Sequence, residues 1–282
     1  MTRTSVTWRG LTLTTGTDAA YRILSLEGWE ERPTARYDKQ VRTRGHGTHP
    51  SPLWSDERIV TIEGQCWSEE QRDQMLFGLQ AAAAYGEDDS TEPLTVVAAN
   101  RTLSAGAQLL VCKPMLARTE WGMGRFGWLL QWRCPDPLRY GPARSPYIGL
   151  PVSGGGLTYP LTYPLDYGAP GSTGQLVLTN AGTAPAPIVF GVRGALPQGF
   201  ELSAGSRRLT YVAQVPSGQV IAVDTAAGTV LVEGTADRRA NLTYADWLEV
   251  PPMSSLTVQF TSLGGVYDVG AQLTATFADT YW

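Results

Sequence analysis

The segment from residue 126 to residue 140 constrains the fold more than any other part of the chain. Its first part, FGWLLQWRC, alternates between two faces and is typical of a half-buried β-strand. One face carries five apolar side chains: Phe126, Trp128, Leu130, Trp132 and Cys134. The strand stops at Cys-Pro-Asp-Pro, because proline cannot donate a backbone hydrogen bond to a sheet. Since strand-like sequence lies on both sides of this stop, two β-rich modules are predicted.

The first module, predicted over residues 1–140, combines strands with one helix. The helix is expected over residues 68–85, where Ser68 and Gln71 have capping-box spacing and the apolar residues recur at helical spacing. That apolar stripe consists of Met75, Leu76, Leu79 and Ala83. Strands are expected over residues 4–13, 21–26, 58–66, 94–99, 107–116 and 124–134. The helix should therefore cover one face of a sheet.

Residues 141–174 are rich in Gly, Pro and Tyr and are predicted to connect the modules. An ordered segment draped over the junction is expected because tyrosines pack on surfaces, and a disordered linker is the alternative. From residue 175 to residue 282 short strands follow one another, separated by Gly or Pro turns. That spacing predicts a β-sandwich or jelly roll, so the fold class is mainly β.

Composition excludes several classes of protein. Charged residues make up 17% of the 282 residues and the formal net charge is −4, which excludes an overall basic nucleic-acid-binding protein. The nine Trp and twelve Tyr either fill sheet cores or lie at interfaces. The three cysteines, Cys66, Cys112 and Cys134, are odd in number and widely spaced, which argues against disulfides and zinc. No run reaches the roughly 20 apolar residues of a membrane helix, so no membrane insertion is expected.

Few residues have a pattern that indicates chemistry. His46 and His49 are three residues apart and near Asp56 and Glu57, a pattern that a metal site could use. They lie in a Gly/Pro-rich segment, however, for which a solvated loop is the expected structure. Carboxylates beside aromatic residues, Asp246 before Trp247 and Asp268 after Tyr267, are the loose candidates for a glycoside hydrolase. The sequence predicts no catalytic residue, no metal site and no cofactor.

A long polar segment over residues 30–56 is the strongest candidate for an interaction site. Five basic residues lie in it: Arg32, Arg36, Lys39, Arg42 and Arg44. Glu30, Glu31 and Asp38 dilute the positive charge, so a solvated hairpin face is the alternative. Long loops without a clear apolar pattern are uncommon in compact domains and usually bind something. We therefore expect this segment to reach a neighbouring subunit.

The order of these features resembles a known protein family. A strand pair is followed by the Arg-rich hairpin VRTRGHG, the strand RIVTIEG, a helix of about five turns and the motif CPDPLRYG. This order resembles the distal tail proteins of bacteriophages with long, non-contractile tails. The resemblance is most specific at Gly45, at residues 58–64, and at a domain-junction motif: Asp136, Pro137, Arg139 and Tyr140. The segments PIVFGVRG, VIAVDTAAGTV and SLTVQF resemble the family's galectin-like β-sandwich.

This resemblance implies a structural, non-enzymatic role in the virion, after assembly in the host cytoplasm. Six copies would form a ring that joins the tail tube protein to the tail-tip hub or tail-associated lysin protein. The second module would anchor tip or receptor-binding components. The lumen would pass the tape-measure protein and then DNA, without sequence-specific contacts. Two other functions stay open: a lectin-like protein that binds host carbohydrate, and a glycoside hydrolase.

Overall fold

The computed structural model describes residues 3–16, 20–67, 72–84, 90–117, 122–152, 171–265, 268 and 270–282. The chain divides into two compact units, Met1–Gly141 together with Trp282, and Pro142–Tyr281. Strands dominate both units, which confirms the mainly-β fold class. No helix among these residues is long and apolar enough to cross a membrane.

The first unit contains ten strands and one α-helix among its described residues. In chain order they are β1 Ser5–Trp8, β2 Leu11–Thr14, β3 Tyr21–Glu27, β4 Ala35–Arg36, β5 Trp54–Ser55, β6 Arg58–Trp67, α1 Arg72–Ala82, β7 Glu92–Ala98, β8 Arg101–Met115, β9 Arg125–Cys134 and β10 Arg139–Tyr140. Strands β4 and β5 pair only with each other, and together they form a separate hairpin.

The long strand β8 closes the main sheet of this unit into a barrel. Its neighbours follow the order β7-β1-β2-β3-β6-β9. Residues 101–107 of β8 pair with β7 at one end of that order, and residues 108–115 pair with β9 at the other end. All five apolar side chains on the predicted face of β9 are buried, as expected. Among them Trp132 packs edge-on against Trp8, with ring centroids 5.9 Å apart.

The helix ends at Ala82, before the predicted end at residue 85, and its buried face is slightly different. The helix packs against β2, β6 and β8, and three of its side chains are buried: Met75, Leu79 and Ala82. Leu76 is only half-buried, and Ala83 follows the last helical residue, so this part of the predicted stripe is wrong. The expected capping residues Ser68 and Gln71 lie outside the described residues.

One predicted strand is in fact a hairpin. Residues 4–13 were expected to form a single strand, but β1 and β2 pair with each other, with Trp8 opposite Leu11. The turn residues Arg9 and Gly10 both have positive φ, at 44° and 78°. This is the geometry of the tight hairpin turns that match the twist of the strands. Arg-Gly is not one of the residue pairs by which such turns are usually recognised.

The second unit is a two-sheet sandwich. Its strands are β11 Tyr147–Gly149, β12 Gln175–Asn180, β13 Ala186–Pro187, β14 Val189–Arg193, β15 Phe200–Ala204, β16 Arg207–Tyr211, β17 Val220–Asp224, β18 Thr229–Val232, β19 Ala236–Asp237, β20 Leu242–Ala245, β21 Glu249–Val250, β22 Ser254–Ser262, β23 Gln272–Thr276 and β24 Thr280–Tyr281. One sheet has the order β11-β23-β14-β17-β18-β19 and the other β12-β22-β15-β16-β20. A single cluster of buried apolar side chains draws on both sheets, which confirms the predicted sandwich.

Two short 3₁₀ turns, Arg239–Asn241 and Leu263–Gly265, interrupt the strands of this unit. The segment expected to connect the modules contributes to its first sheet, because β11 pairs with β23. Residues 153–170, which include the TYPLTYPL repeat, lie outside the described residues. The domain limits at residues 140 and 174 therefore stay predictions.

Candidate subunit interface

The predicted interaction segment forms a two-legged hairpin, residues 34–56, which we call the arm. At its base the amide of Asp56 donates to the carbonyl of Thr34 at 2.8 Å, beside the β4–β5 pair. Further out the amide of His49 donates to the carbonyl of Gln40 at 2.9 Å. Gly45, at the tip, has a φ of 121° that favours glycine. The long polar segment is thus an ordered projection with few buried side chains.

The arm exposes the residue types that interfaces favour. Of the five predicted basic residues, four lie on the arm and Arg32 lies just before it, and all five are exposed. Four large apolar side chains on the arm are also more than half exposed: Tyr37, Val41, Leu53 and Trp54. Aromatic residues and arginine are enriched at protein interfaces, and exposed apolar side chains gain free energy when a partner covers them. This surface is therefore suited to docking on another protein.

Arg58 holds the leg of the chain that enters the arm. Its Nη1 atom donates to the carbonyls of Gly28, Trp29 and Glu31 at 2.8, 2.9 and 2.7 Å. Its Nε atom donates to the carbonyl of Pro137 at 3.0 Å. The side chain is only 1% exposed, and burial, followed by the nearby Arg139, lowers the pKa of the guanidinium. Carbonyl dipoles, which partly offset the buried charge, thus fix the path of this leg.

Arg139 reinforces the same leg from the domain-junction motif. Its Nη1 atom lies 2.8 Å from Oε2 of Glu30, and its guanidinium carbon lies 5.6 Å from the ring centroid of the buried Trp29. Its Nη2 atom donates to the carbonyl of Trp282. The side chain of Arg139 is only 6% exposed, so this guanidinium is held in place by its partners and is not a free surface charge.

The remaining motif residues shape the turn that presents Arg139. Asp136 accepts a hydrogen bond from the amide of Leu138 at 3.0 Å and another from the hydroxyl of Tyr140 at 2.5 Å. Burial and the carboxylate of Asp136 raise the pKa of the Tyr140 phenol, so the hydroxyl stays a donor. Hydrogen bonds within the motif thus fix the shape of this turn. Pro137 and Arg139 connect the turn to the base of the arm.

The leg that leaves the arm is held separately. Glu57, directly after the arm, pairs with Arg133 of β9, with Oε2 and Nε 2.5 Å apart. On the entering leg Gly28 has a φ of 78°, and a Cβ atom there would lie 1.8 Å from the carbonyl oxygen of Ile59. Both legs therefore leave the barrel at defined positions.

Sequence reasoning missed Arg58, Glu57 and Arg133 as contributors to this site. A signal for Arg58 was present, because it lies in phase with Val60 and Ile62 on the buried face of its strand. A charged residue in an apolar register is rarely buried without partners. Its carbonyl partners could not be named, because they come from two distant segments.

The structure does not bring the other sequence candidates together as a site. In the described part of the chain, no group of three or more His, Cys, Asp or Glu residues could hold a metal ion. His46 and His49 are exposed on the arm. Asp246 accepts from the amide of Arg208 at 2.9 Å, and Asp268 accepts from the amide of Gly270 at 2.9 Å. The carboxylate of Asp246 thus joins the end of β20 to β16, that of Asp268 stabilises a local turn, and Tyr267 lies outside the described residues.

Comparison with known proteins gives one informative likeness. No family model and no curated protein matches the sequence. The Dit (gp 19.1) protein of SPP1, a paradigm of the hub adsorption apparatus in phages that infect Gram-positive bacteria, matches with a TM-score of 0.68. The match covers 99% of each chain at 13% sequence identity. The chain has the fold of this hub protein.

Two chains of the phage P2 baseplate in its activated conformation, one with Ca and one with Sr, are more distant. Each match has a TM-score of 0.45 and covers 98% of both chains, at 9% and 8% identity. Similarity at this level carries no argument, so the fold is argued from the SPP1 hub protein. The hub fold includes both units, since the match covers nearly the whole chain.

Proposed function

We propose that this protein is a structural subunit of a phage tail tip, in the hub that joins the tail tube to the tip. The observation that carries the proposal is the likeness to the SPP1 hub protein over 99% of both chains. A fold is shared by proteins of different function, but a match of two consecutive units in one order is more specific than a match of either alone. The arm then supplies a means of assembly.

The proposed assembly is the hexameric ring that the resemblance to distal tail proteins implies, and the arm is the element proposed to join its subunits. In a ring each subunit contacts the next through two different, complementary surfaces. The arm exposes Tyr37, Val41, Leu53 and Trp54 beside the basic residues, and its two legs are held by Arg58 and Glu57. A projection that is rigid at its base loses little conformational freedom when it docks. We therefore place Arg32, Arg36, Lys39, Arg42 and Arg44 at the subunit interface.

The proposed neighbours are those of a tail-tip ring in the virion. The first unit contacts the tail tube protein on one side and the tail-tip hub or tail-associated lysin protein on the other. The second unit anchors further tip or receptor-binding components. The tape-measure protein and DNA pass through the lumen, and the net charge of −4 suits a channel that does not retain phosphate.

The proposed role involves no catalysis. The carboxylates of Asp246 and Asp268, which were the loose candidates for glycoside hydrolysis, are engaged by backbone amides. The likeness to the SPP1 hub protein does not favour the lectin-like alternative, because it extends over both units and not over the sandwich alone. The structural role is therefore the best supported of the three.

Charge reversal on the arm tests the ring. The triple variant Arg36→Glu, Arg42→Glu and Arg44→Glu should reduce the six-subunit species seen by mass photometry and negative-stain imaging. The matched control Arg207→Glu, Arg208→Glu and Arg239→Glu makes the same charge change in the second unit. This control should still form the six-subunit species. Normal rings from the arm variant would contradict the proposed interface.

The location in intact virions tests the function itself. Cryo-electron microscopy of assembled particles should show six copies around the tail axis at its distal end. Density for this protein at any other position, or none in the tail, would contradict the tail-tip role even if purified protein forms rings.

A further inference from the structure

The arginines of the second unit are concentrated at one place. Residues 142–281 contain six: Arg144, Arg193, Arg207, Arg208, Arg238 and Arg239. Four of them, with Tyr244 and Trp247, lie where β16 and a 3₁₀ turn flank the strand β20, and we call this group the arginine corner. Direct contacts join its members. The guanidinium of Arg208 lies 3.4 Å from the ring centroid of Tyr244, that of Arg239 lies 5.5 Å from the ring centroid of Trp247, and Arg207 donates to the Trp247 carbonyl.

The corner combines four arginines with two nearby carboxylates, Asp237 and Asp246, so its positive charge is only partly offset. None of its four arginines forms an ion pair with another described residue, and all four are exposed. The two nearby carboxylates accept from backbone amides, Asp246 from Arg208 at 2.9 Å and Asp237 from Arg239 at 2.8 Å. A guanidinium that lies over an aromatic ring keeps its N–H edge available for a carboxylate or phosphate. The corner is therefore preorganised for an anionic partner.

An open sheet edge runs through the same corner. Strand β20 is the last strand of its sheet, and no described strand pairs with its outer side. The amide of Asp246 bonds inward to the carbonyl of Arg208 at 3.0 Å, so the backbone groups of the preceding Ala245 face outward. Thr243, Tyr244 and Ala245 are exposed. Unpaired edges bind extended peptides by adding a strand, and side chains beside the edge select the sequence.

We infer that the arginine corner binds an extended acidic peptide segment of a partner protein, which adds as a strand to the outer side of β20. Charge alone would accept a phosphate polymer equally well. The open backbone edge favours a peptide, because only a peptide supplies alternating N–H and C=O groups to pair with it. The pairing is short, since β20 has four residues and a register shift lies opposite it between Thr210 and Tyr211. This site is independent of the arm and of ring assembly.

A fluorescein-labelled ten-residue peptide of alternating Glu and Thr tests the site with the full chain. Fluorescence anisotropy should show binding that weakens with added salt. The variant Arg207→Glu, Arg208→Glu and Arg239→Glu should bind at least tenfold more weakly. The arm variant, which makes the same charge change elsewhere, should bind within twofold of the unaltered protein, as should Arg193→Glu on the other sheet. Hydrogen exchange at the Ala245 amide should slow when the peptide is bound.

Each result supports or overturns the inference. Equal affinity of the corner variant and the unaltered protein would overturn it, as would binding without slower exchange at Ala245. Polyphosphate of matched charge that binds as tightly as the peptide would overturn the choice of a peptide. If the triple variant melts at a lower temperature, Arg239→Gln alone should still weaken binding several-fold. The arm variant should retain peptide binding, so failure here is distinguishable from failure of the ring.

Discussion

At the scale of single residues, a buried arginine decides where the arm leaves the barrel. Arg58 contacts carbonyls at Gly28, Trp29, Glu31 and Pro137, so one side chain joins two segments that are separated by roughly a third of the chain. Its direct hydrogen bonds are to carbonyl dipoles, and the carboxylates of Glu30 and Glu31 favour the charge from nearby without bonding to it. The Nε and Nη1 atoms are satisfied by these carbonyls, whereas Nη2 is buried without a hydrogen-bond partner, so the burial of this charge is only partly offset.

Replacement of Arg58 should destabilise the first unit. Arg58→Met keeps most of the volume but leaves four carbonyls without their donor, so we expect a loss of about 3 kcal/mol in the free energy of unfolding. Trp247 is the only tryptophan within residues 142–281, so urea unfolding followed by tryptophan fluorescence reports mainly on the first unit. The control Arg36→Met, on the exposed arm, should change stability by less than about 0.5 kcal/mol. Equal stability of both variants would contradict the anchoring role.

Alkaline pH should weaken the first unit through its buried thiols. Burial raises the pKa of Cys66 from 9.0 to about 12 and that of Cys134 from 9.0 to about 11. The folded state therefore holds these protons more tightly than the unfolded state does. The stabilisation from the protonated thiols is complete below about pH 9 and is lost as the pH rises toward 11 and 12. Urea unfolding between pH 8 and pH 11 should show this decline. The double variant Cys66→Ala and Cys134→Ala should show a shallower decline, and an unchanged slope would exclude the thiols as its cause.

At the scale of elements, the arm shows how a polar segment is held as an ordered hairpin. Its two legs pair through the backbone, as at Ala35 and Ser55, and most of its side chains stay exposed. A two-stranded ribbon on its own is marginally stable in water. Its position therefore depends on the contacts of Arg58, Arg139 and Glu57 at its base.

Removal of the arm should separate assembly from folding. Replacement of residues 37–53 by Asn-Gly joins Arg36 to Trp54, which face each other across β4 and β5, through a two-residue hairpin loop. Few buried contacts are lost, so we expect the free energy of unfolding to change by less than about 1 kcal/mol. Mass photometry should nevertheless show no six-subunit species. A large loss of stability would instead show that the arm contributes to the folding of the monomer.

At the scale of the whole molecule, each unit buries its own apolar residues. The barrel is closed by β8, and the sandwich encloses one continuous cluster between its sheets. The sandwich also includes β11, which the sequence had assigned to a connecting segment. The position of this strand gives a direct test of where the second unit begins.

Two fragments should differ in stability because of β11. A fragment of residues 142–281 retains the pairing of Tyr147 and Ile148 with β23, whereas a fragment of residues 175–281 leaves β23 as a bare edge. We expect the longer fragment to have the higher melting temperature by circular dichroism, by several degrees for each kcal/mol of lost pairing and burial. Equal melting temperatures would support the predicted boundary at residue 174.

Local pattern alone predicted most of the longer strands and the mainly-β fold class. The face from Phe126 to Cys134 and the buried stripe at Val60 and Ile62 follow from the two-residue period of a strand, which is a property of neighbouring residues. The hairpin turn at Arg9 and Gly10 was not predicted, because Arg-Gly is a weak sequence signal for such a turn.

Only the tertiary structure decided which distant segments meet. Arg58 reaches Pro137 across 79 positions, and Glu30 reaches Arg139 across 109. The barrel closes because β8 continues from one neighbouring strand to another, and the arginine corner forms because β16, a turn and β20 converge. Such contacts depend on the packing of the whole chain, and no spacing within a short window records them.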